Sequence, residues 1–257
     1  MNIAAFAVVD PSAVVPASCQ IGPFCTVGPG VELGENCRLD SHVVIQGPTR
    51  IGHDNHFFPF STVGVAPQDL SYRGEPTRLE IGDHNTVREF CSLHRGTLKG
   101  GGLTRIGSHN LLMAYCHVAH DCKVGDHIIM ANGATLGGHV TVEDWATIGA
   151  LSPVHQFVRV GRHAYIGGGT IVTQDVMPFS KTSASRTNKA YGANRVGLER
   201  RGFTPAQVAG LQHAFRVLLS SGLNTSQALA QLHSEALGAE AAELVRFIET
   251  SERGVIK

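Results

Sequence analysis

The residues best equipped for chemistry in this chain are histidines. There are 14 of them, and four, His117, His120, His139 and His155, fall close together. Imidazole titrates near neutrality, so it can accept and return a proton at ordinary pH. Asp121 follows His120 directly. On an extended strand the two side chains would point apart, so a His–Asp dyad requires the backbone to turn a corner between them. His120 and His139 are 19 positions apart, Gly138 lies 18 beyond His120, and Gln156 lies 18 beyond Gly138. A fold repeating every 18 residues would bring them to one edge over three coils, with His117 further round the same region. Three histidines from neighbouring coils could equally bind zinc. A single corner histidine is ordinarily just polar surface.

Two further groups stand out. Gln68, Asp69 and Leu70 open a polar stretch, where the ordinary reading of the aspartate is turn formation. Arg200, Arg201 and Gly202 form a basic run with Arg195 and Lys189 nearby. Arginine offers paired donors to phosphate, although a basic run ahead of a helix is otherwise a solvated face.

The element that must position these groups is a repeat. Stepping by six from Ile3 gives Val9, Val15, Ile21, Val27, Leu33, Leu39, Ile45, Ile51, Phe57 and Val63. A second register runs Ile81, Val87 and Leu93. A third runs Ile106, Leu112, Val118, Val124, Met130, Leu136, Val142, Ile148, Val154, Val160, Ile166 and Val172. Glycine often follows the anchor, as in Gly22, Gly34, Gly107 and Gly137, allowing a tight bend or close backbone approach. The fifth position of each hexad is small or branched and shares the anchor's face of an extended strand. Each hexad is therefore a short strand and a corner. Three hexads close one triangular coil of 18 residues, with coils about 4.8 Å apart.

All six cysteines, Cys19, Cys25, Cys37, Cys91, Cys116 and Cys122, occupy the fifth position. That phase suits thiols filling a core and is not required by a disulfide framework or a metal site. They are expected to be buried and reduced, as in a cytoplasmic protein. Loops at about 65–80 and 94–105 interrupt the count and read as extrusions from corners. The repeat ends near Pro178. The expected architecture is mainly β: a parallel β-helix over 1–180, then a linker and a helical C-terminal domain over 181–257. In the latter, Thr204-Pro205 caps a first helix, and further helices are expected over 225–237 and 240–250.

Lys+Arg and Asp+Glu both number 21, so charge gives no reason to expect nucleic acid as the main partner. The sequence has no membrane-length apolar run. Its start, MNIAAFAVVDPSAVV, lacks a signal peptide's basic region and long apolar core. A cytoplasmic location is expected.

The segments SHVVIQGPTRIG, QDLSYRGEPTRLEIGD, HRGT, GGGLTRIGSHNLLMAYCHVAHDC, LGGHVTVED, VHQF and GLERRGF resemble the UDP-N-acetylglucosamine O-acyltransferase family, which catalyses the first step of lipid A synthesis. The resemblance covers almost the whole chain and implies a left-handed winding and a homotrimer with active sites between subunits. It implies transfer of a 3-hydroxyacyl chain from acyl carrier protein to the 3-hydroxyl of UDP-N-acetylglucosamine. By that resemblance His120 is the general base and the Gly138 N–H stabilises the oxyanion. Asp69, His117 and His139 position the sugar, with Gln68 beside the acyl chain. His155, Gln156, Asn194, Arg200 and Arg201 hold the nucleotide. Gly168 matches the position limiting acyl-chain length, where glycine leaves the groove open for a longer chain; Tyr165 nearby could modify this. No metal or bound cofactor is implied, since the acyl-phosphopantetheine arm arrives with the carrier. Ser71 stands where the family often has lysine and Val196 where it often has an acid, which keeps open a 3-amino sugar as acceptor. Three rivals remain at this level: the pathway's N-acyltransferase, which would need an extra N-terminal domain; a zinc hydratase; and a non-catalytic solenoid.

Overall fold

A computed structural model describes residues 2–184 and 188–257. Short strands, most of two residues, stack in parallel into three faces. The first face begins at Asn2–Ile3, the second at Val8–Val9, and the named strands of the third at Val31–Leu33. The chain passes round the faces in that order. Uninterrupted coils advance by 18 residues: His117 pairs with Thr135 and Leu136 with Val154. The anchors from Ile21 to Val172 are buried in one continuous core, and all six cysteines are buried and free. Ile3, at the open end, is 37% exposed.

The corners account for six of the 14 histidines. In nearly every hexad the third residue after the anchor has positive φ, among them His42, His84, His109, His127, His139 and His163. Left-handed backbone costs a non-glycine residue energy, and burial of the repeated core offsets it. Rings on successive corners then stack one coil apart. Phe6, Phe24, His42, Phe60, Phe90 and Tyr115 form one ladder on the edge between the first and second faces. His84, His109, His127, Trp145 and His163 form another between the third and first. The glycine after the anchor serves close approach: at Gly34 a Cβ would lie 2.5 Å from the Gly52 carbonyl carbon.

Both interruptions leave the second face and rejoin the third. One lies between Thr62–Val65 and Arg78–Ile81; the other lies between Ser92–His94 and Leu103–Ile106 and contains a 3-10 turn, Leu98–Gly100. The two loops therefore crown the same edge.

The stretch expected as linker carries strands instead. Ser180–Ala184 adds a parallel rung to the first face, and Asn188–Ala193 pairs antiparallel with it. Its polar sequence hid this because the inward positions are Ser180 and Thr182, both 0% exposed. Four helices follow: α1 (Arg195–Arg200), α2 (Pro205–Ser220), α3 (Thr225–His233) and α4 (Ala239–Glu249). Thr204 and Gln207 make a capping box at α2, with Pro205 in its first turn. α2 and α4 bury apolar stripes in a second cluster that includes Met177 and Phe179. The chain end returns to the β-helix, where Val255 bridges Asp175 and Ile256 enters the first core.

Candidate active site

The second–third edge gathers one set of the expected residues. His117 opens the His117–Val118 strand of the second face, and the chain turns the corner at His120 and Asp121. Asp121 has φ of 61°. That left-handed corner swings its carboxylate back, and His120 Nδ1 lies 2.8 Å from Asp121 Oδ2. Ionised, the carboxylate accepts the Nδ1 proton and leaves the Nε2 lone pair free.

Asp121 is itself held. Its two oxygens accept from the Thr97 N–H at 2.7 Å and the Thr97 hydroxyl at 2.6 Å, and its own N–H donates to Thr104 Oγ1 at 2.7 Å. All three residues are buried. The second loop therefore locks the dyad. Sequence reasoning missed Thr97 and Thr104, and the available signals were the HRGT and GGGLTRIG segments quoted for the resemblance.

One coil on, the His120 ring lies against Gly138, where a Cβ would fall 2.5 Å from Cε1 and 2.8 Å from Nε2. Among the described residues no acceptor meets the Gly138 N–H. His139 meets His120 edge-on at 5.3 Å between ring centroids and stacks on Phe157. His117 Nδ1 is 2.7 Å from Ser92 Oγ. Burial holds the pKa of His117 below the ordinary histidine value, helped by the His120 charge. Burial also lowers that of His139, against the opposing pull of Asp121. His94, packed edge-on against His117, is pushed down to about 4, chiefly by burial. These lowered values favour the neutral form of all three neighbours near pH 7.

Gln68 and Asp69 sit in the first loop on this edge. Asp69 Oδ1 accepts from the Ser71 N–H at 2.7 Å, the turn geometry expected of it. That bond is the main cause of its lowered pKa, and the Lys99 and His120 charges act in the same direction. His155 and Gln156 lie exposed on the edge one coil below His139.

Asn194, Arg200 and Arg201 are elsewhere. They line a cavity of about 700 Å³ whose floor is the first face, at Ile129, Thr147 and Tyr165. Asn194 caps α1, accepting from the Gly197 N–H, and donates to the His163 carbonyl. The Arg201 guanidinium lies 5.4 Å from the centre of the Trp145 ring, on the third–first edge. Gly168 belongs to the first–second edge, just after Tyr165–Ile166. In a three-sided prism the first face is opposite the second–third edge, so one chain does not unite the histidines with the arginines.

A metal reading must also be considered. Donor atoms of His120, Asp121 and His139 lie within 4.8 Å of one another. His117, the other histidine of a three-histidine zinc site, is outside this group. The Asp121 oxygens and His120 Nδ1 are already engaged in hydrogen bonds, so a cation would have to displace them.

Comparisons with known proteins agree with this architecture. The family profile described as bacterial transferase hexapeptide (six repeats) matches residues 103–138. That described as Udp N-acetylglucosamine O-acyltransferase, Domain 2, matches residues 175–256. An acyl-[acyl-carrier-protein]–UDP-N-acetylglucosamine O-acyltransferase of Halorhodospira halophila is 47% identical over 215 residues, 82% of either chain. The solved LpxA of Acinetobacter baumannii is 44% identical with a TM-score of 0.95 over 100% of both chains. The UDP-N-acetylglucosamine O-acyltransferase of Moraxella catarrhalis is 39% identical with a TM-score of 0.93, again over 100% of both. Fold and site define an acyltransferase of the hexapeptide-repeat class, built on a left-handed parallel β-helix with a helical C-terminal region. Within that class the chain belongs to the UDP-N-acetylglucosamine O-acyltransferase family.

Proposed function

We propose that the protein transfers a 3-hydroxyacyl chain from acyl carrier protein to the 3-hydroxyl of UDP-N-acetylglucosamine, with His120 as general base. The observation that carries the base assignment is the His120–Asp121 contact of 2.8 Å, beside a Gly138 N–H that meets no acceptor among the described residues. Asp121 fixes the ring so that Nε2 faces the acceptor. As the sugar oxygen attacks the thioester carbon, Nε2 takes its proton. Negative charge gathers on the former carbonyl oxygen, where the Gly138 N–H donates to it. Collapse reforms the carbonyl and expels the pantetheine thiolate, which recovers the proton from the imidazolium. Neutral His117 and His139, with Asp69, position the sugar. Gln68 lies beside the acyl chain, and His155, Gln156, Asn194, Arg200 and Arg201 hold the nucleotide. The chemistry needs neither a metal nor a resident cofactor.

The site is completed by a second copy, and the working unit is a homotrimer. The separation of the histidine edge from the arginine cavity supports this. So does the aromatic ladder on the first–second edge, where Phe6 is 76% and Tyr115 62% exposed, an apolar strip suited to a threefold axis. With that edge on the axis, the first face of one subunit meets the second face of the next. The histidine edge then meets the neighbour's Trp145 and Arg201. Gly168, near the axis, leaves room for a longer chain. Its backbone does not demand glycine, since a Cβ there would meet only Ala150 backbone, at 3.3 Å or more. The β-helix carries the catalytic edge, and its last rung, Ser180–Ala184, with the region after it completes the nucleotide side. Among the described residues no helix is long and apolar enough to cross a membrane. The compartment proposed for the reaction is the cytoplasm.

Mass spectrometry of the product from UDP-N-acetylglucosamine and a series of acylated carrier proteins tests this reading. An ester at the 3-position is expected, and an amide on a 3-amino analogue would reassign the acceptor. His120→Ala should abolish transfer with the fold intact; near wild-type turnover would remove His120 as base. Stoichiometric zinc in active protein, with activity lost on chelation, would favour the hydratase reading.

A further inference from the structure

The floor of the first-face cavity is a column of residues paired rung to rung: Ile129 with Thr147, Thr147 with Tyr165, and Tyr165 with Lys181. Ser180 and Thr182 point inward and are fully buried, so strand alternation sends Lys181 outward into the cavity. Among the described residues, its ammonium makes no hydrogen bond or ion pair with a side chain of the cavity. The other cations there differ. Arg195 is held by Glu199 at 2.7 Å, and Arg201 lies over Trp145. Among the described residues no carboxylate lines the cavity, and Val196 occupies the wall position where the resemblance leads one to expect an acid. Lys181, Arg200 and Arg201 therefore concentrate positive charge in one concavity of a chain whose formal net charge is zero. Beside them lies an apolar floor with Tyr165 37% exposed. Such a combination suits an organic phosphate: an anionic head for the cations and a flat or aliphatic body for the floor.

We propose that Lys181 is a phosphate-binding residue of this cavity, acting with Arg200 and Arg201 in substrate recognition. The proposal rests on the reading of the cavity as the nucleotide half of the site. Two phosphates reach an enzyme with this activity: the diphosphate of the nucleotide sugar and the phosphate of the carrier's pantetheine arm.

Steady-state kinetics on the full chain, varying each substrate in turn, separate the two sources. The variants are Lys181→Ala, Lys181→Arg and Arg201→Ala, each checked by thermal unfolding. Lys181→Ala should raise KM by roughly tenfold for one substrate. Lys181→Arg should recover most of the loss, and added salt should shrink the difference between wild type and Lys181→Ala. A rise for UDP-N-acetylglucosamine, matched by weaker binding of UDP but not of uridine, assigns the nucleotide. A rise for the acyl carrier protein assigns the arm. Unchanged KM for both substrates in Lys181→Ala, with Arg201→Ala impaired, overturns the role of Lys181 alone. If both variants are unimpaired, the reading of the whole cavity falls with it.

Discussion

The sharpest test of the site is a single methyl group at Gly138. An alanine Cβ there would stand 2.5 Å from His120 Cε1 and 2.8 Å from Nε2, whereas ordinary carbon contacts begin near 3.5 Å. The ring must withdraw by about 1 Å. It cannot do so freely, because Nδ1 is 2.8 Å from Asp121 Oδ2 and Asp121 is fixed by Thr97. A shift of that size disturbs the 2.8 Å dyad contact or carries Nε2 out of place. A displacement of about 1 Å at a reacting group costs roughly 100-fold in rate, or about 2.7 kcal/mol of barrier. The Gly138 backbone lies outside the positive-φ region, so alanine is tolerated locally and its N–H is retained. Gly138→Ala should therefore lower kcat by roughly two orders of magnitude with the melting temperature nearly unchanged. Coupled assay of thiol release from the acyl carrier protein measures the first quantity and scanning calorimetry the second. Turnover within threefold of wild type would refute the placement of His120 over Gly138 as the reactive arrangement.

Other consequences follow from the same geometry. Co-assembled His120→Ala and Arg201→Ala chains should regain part of the activity each lacks alone, because mixed assemblies of the proposed homotrimer contain some interfaces with both residues intact; no recovery after verified mixing would count against a site shared between subunits. Burial pushes His94 and His163 down to about 4, below the ordinary 6.5. Between these values the unfolded chain binds the extra protons, so stability is full above about pH 6.5 and falls as the pH drops toward 4. The loss is on the order of 2 kcal/mol per residue. Urea unfolding at pH 7 and pH 4.5 should show a smaller acid loss in His163→Phe than in wild type, and equal losses would exclude the effect. Burial raises the Cys37 and Cys122 thiols to about 11 and about 12, so a thiol reagent should label neither in the native protein and all six cysteines once it is unfolded.

Much of this molecule was legible in its residues because a strand's side chains alternate and a six-residue step returns each anchor to the same phase. The core followed from Ile21 to Val172, and the cysteine phase announced burial. The 18-residue turn foretold that His120, Gly138 and His139 meet. Thr204-Pro205 marked the start of α2 for an equally local reason, the need to satisfy the first N–H groups of a helix. Other features depend on contacts between distant parts of the chain. Local pattern could not show that Asp121 turns back to His120, since that needs a left-handed corner stabilised by Thr97 and Thr104 across an extruded loop. Nor could it show the rung at Ser180–Ala184, whose polar residues pair only because the preceding coil offers an open strand edge. Spacing also treats residues on different edges alike. Only the closed prism reveals that Arg201 stands beside Trp145 while His120 occupies the edge opposite the cavity's face. Sequence fixes direction and period along a coil, but the order in which three faces close around the core decides which groups can reach one substrate.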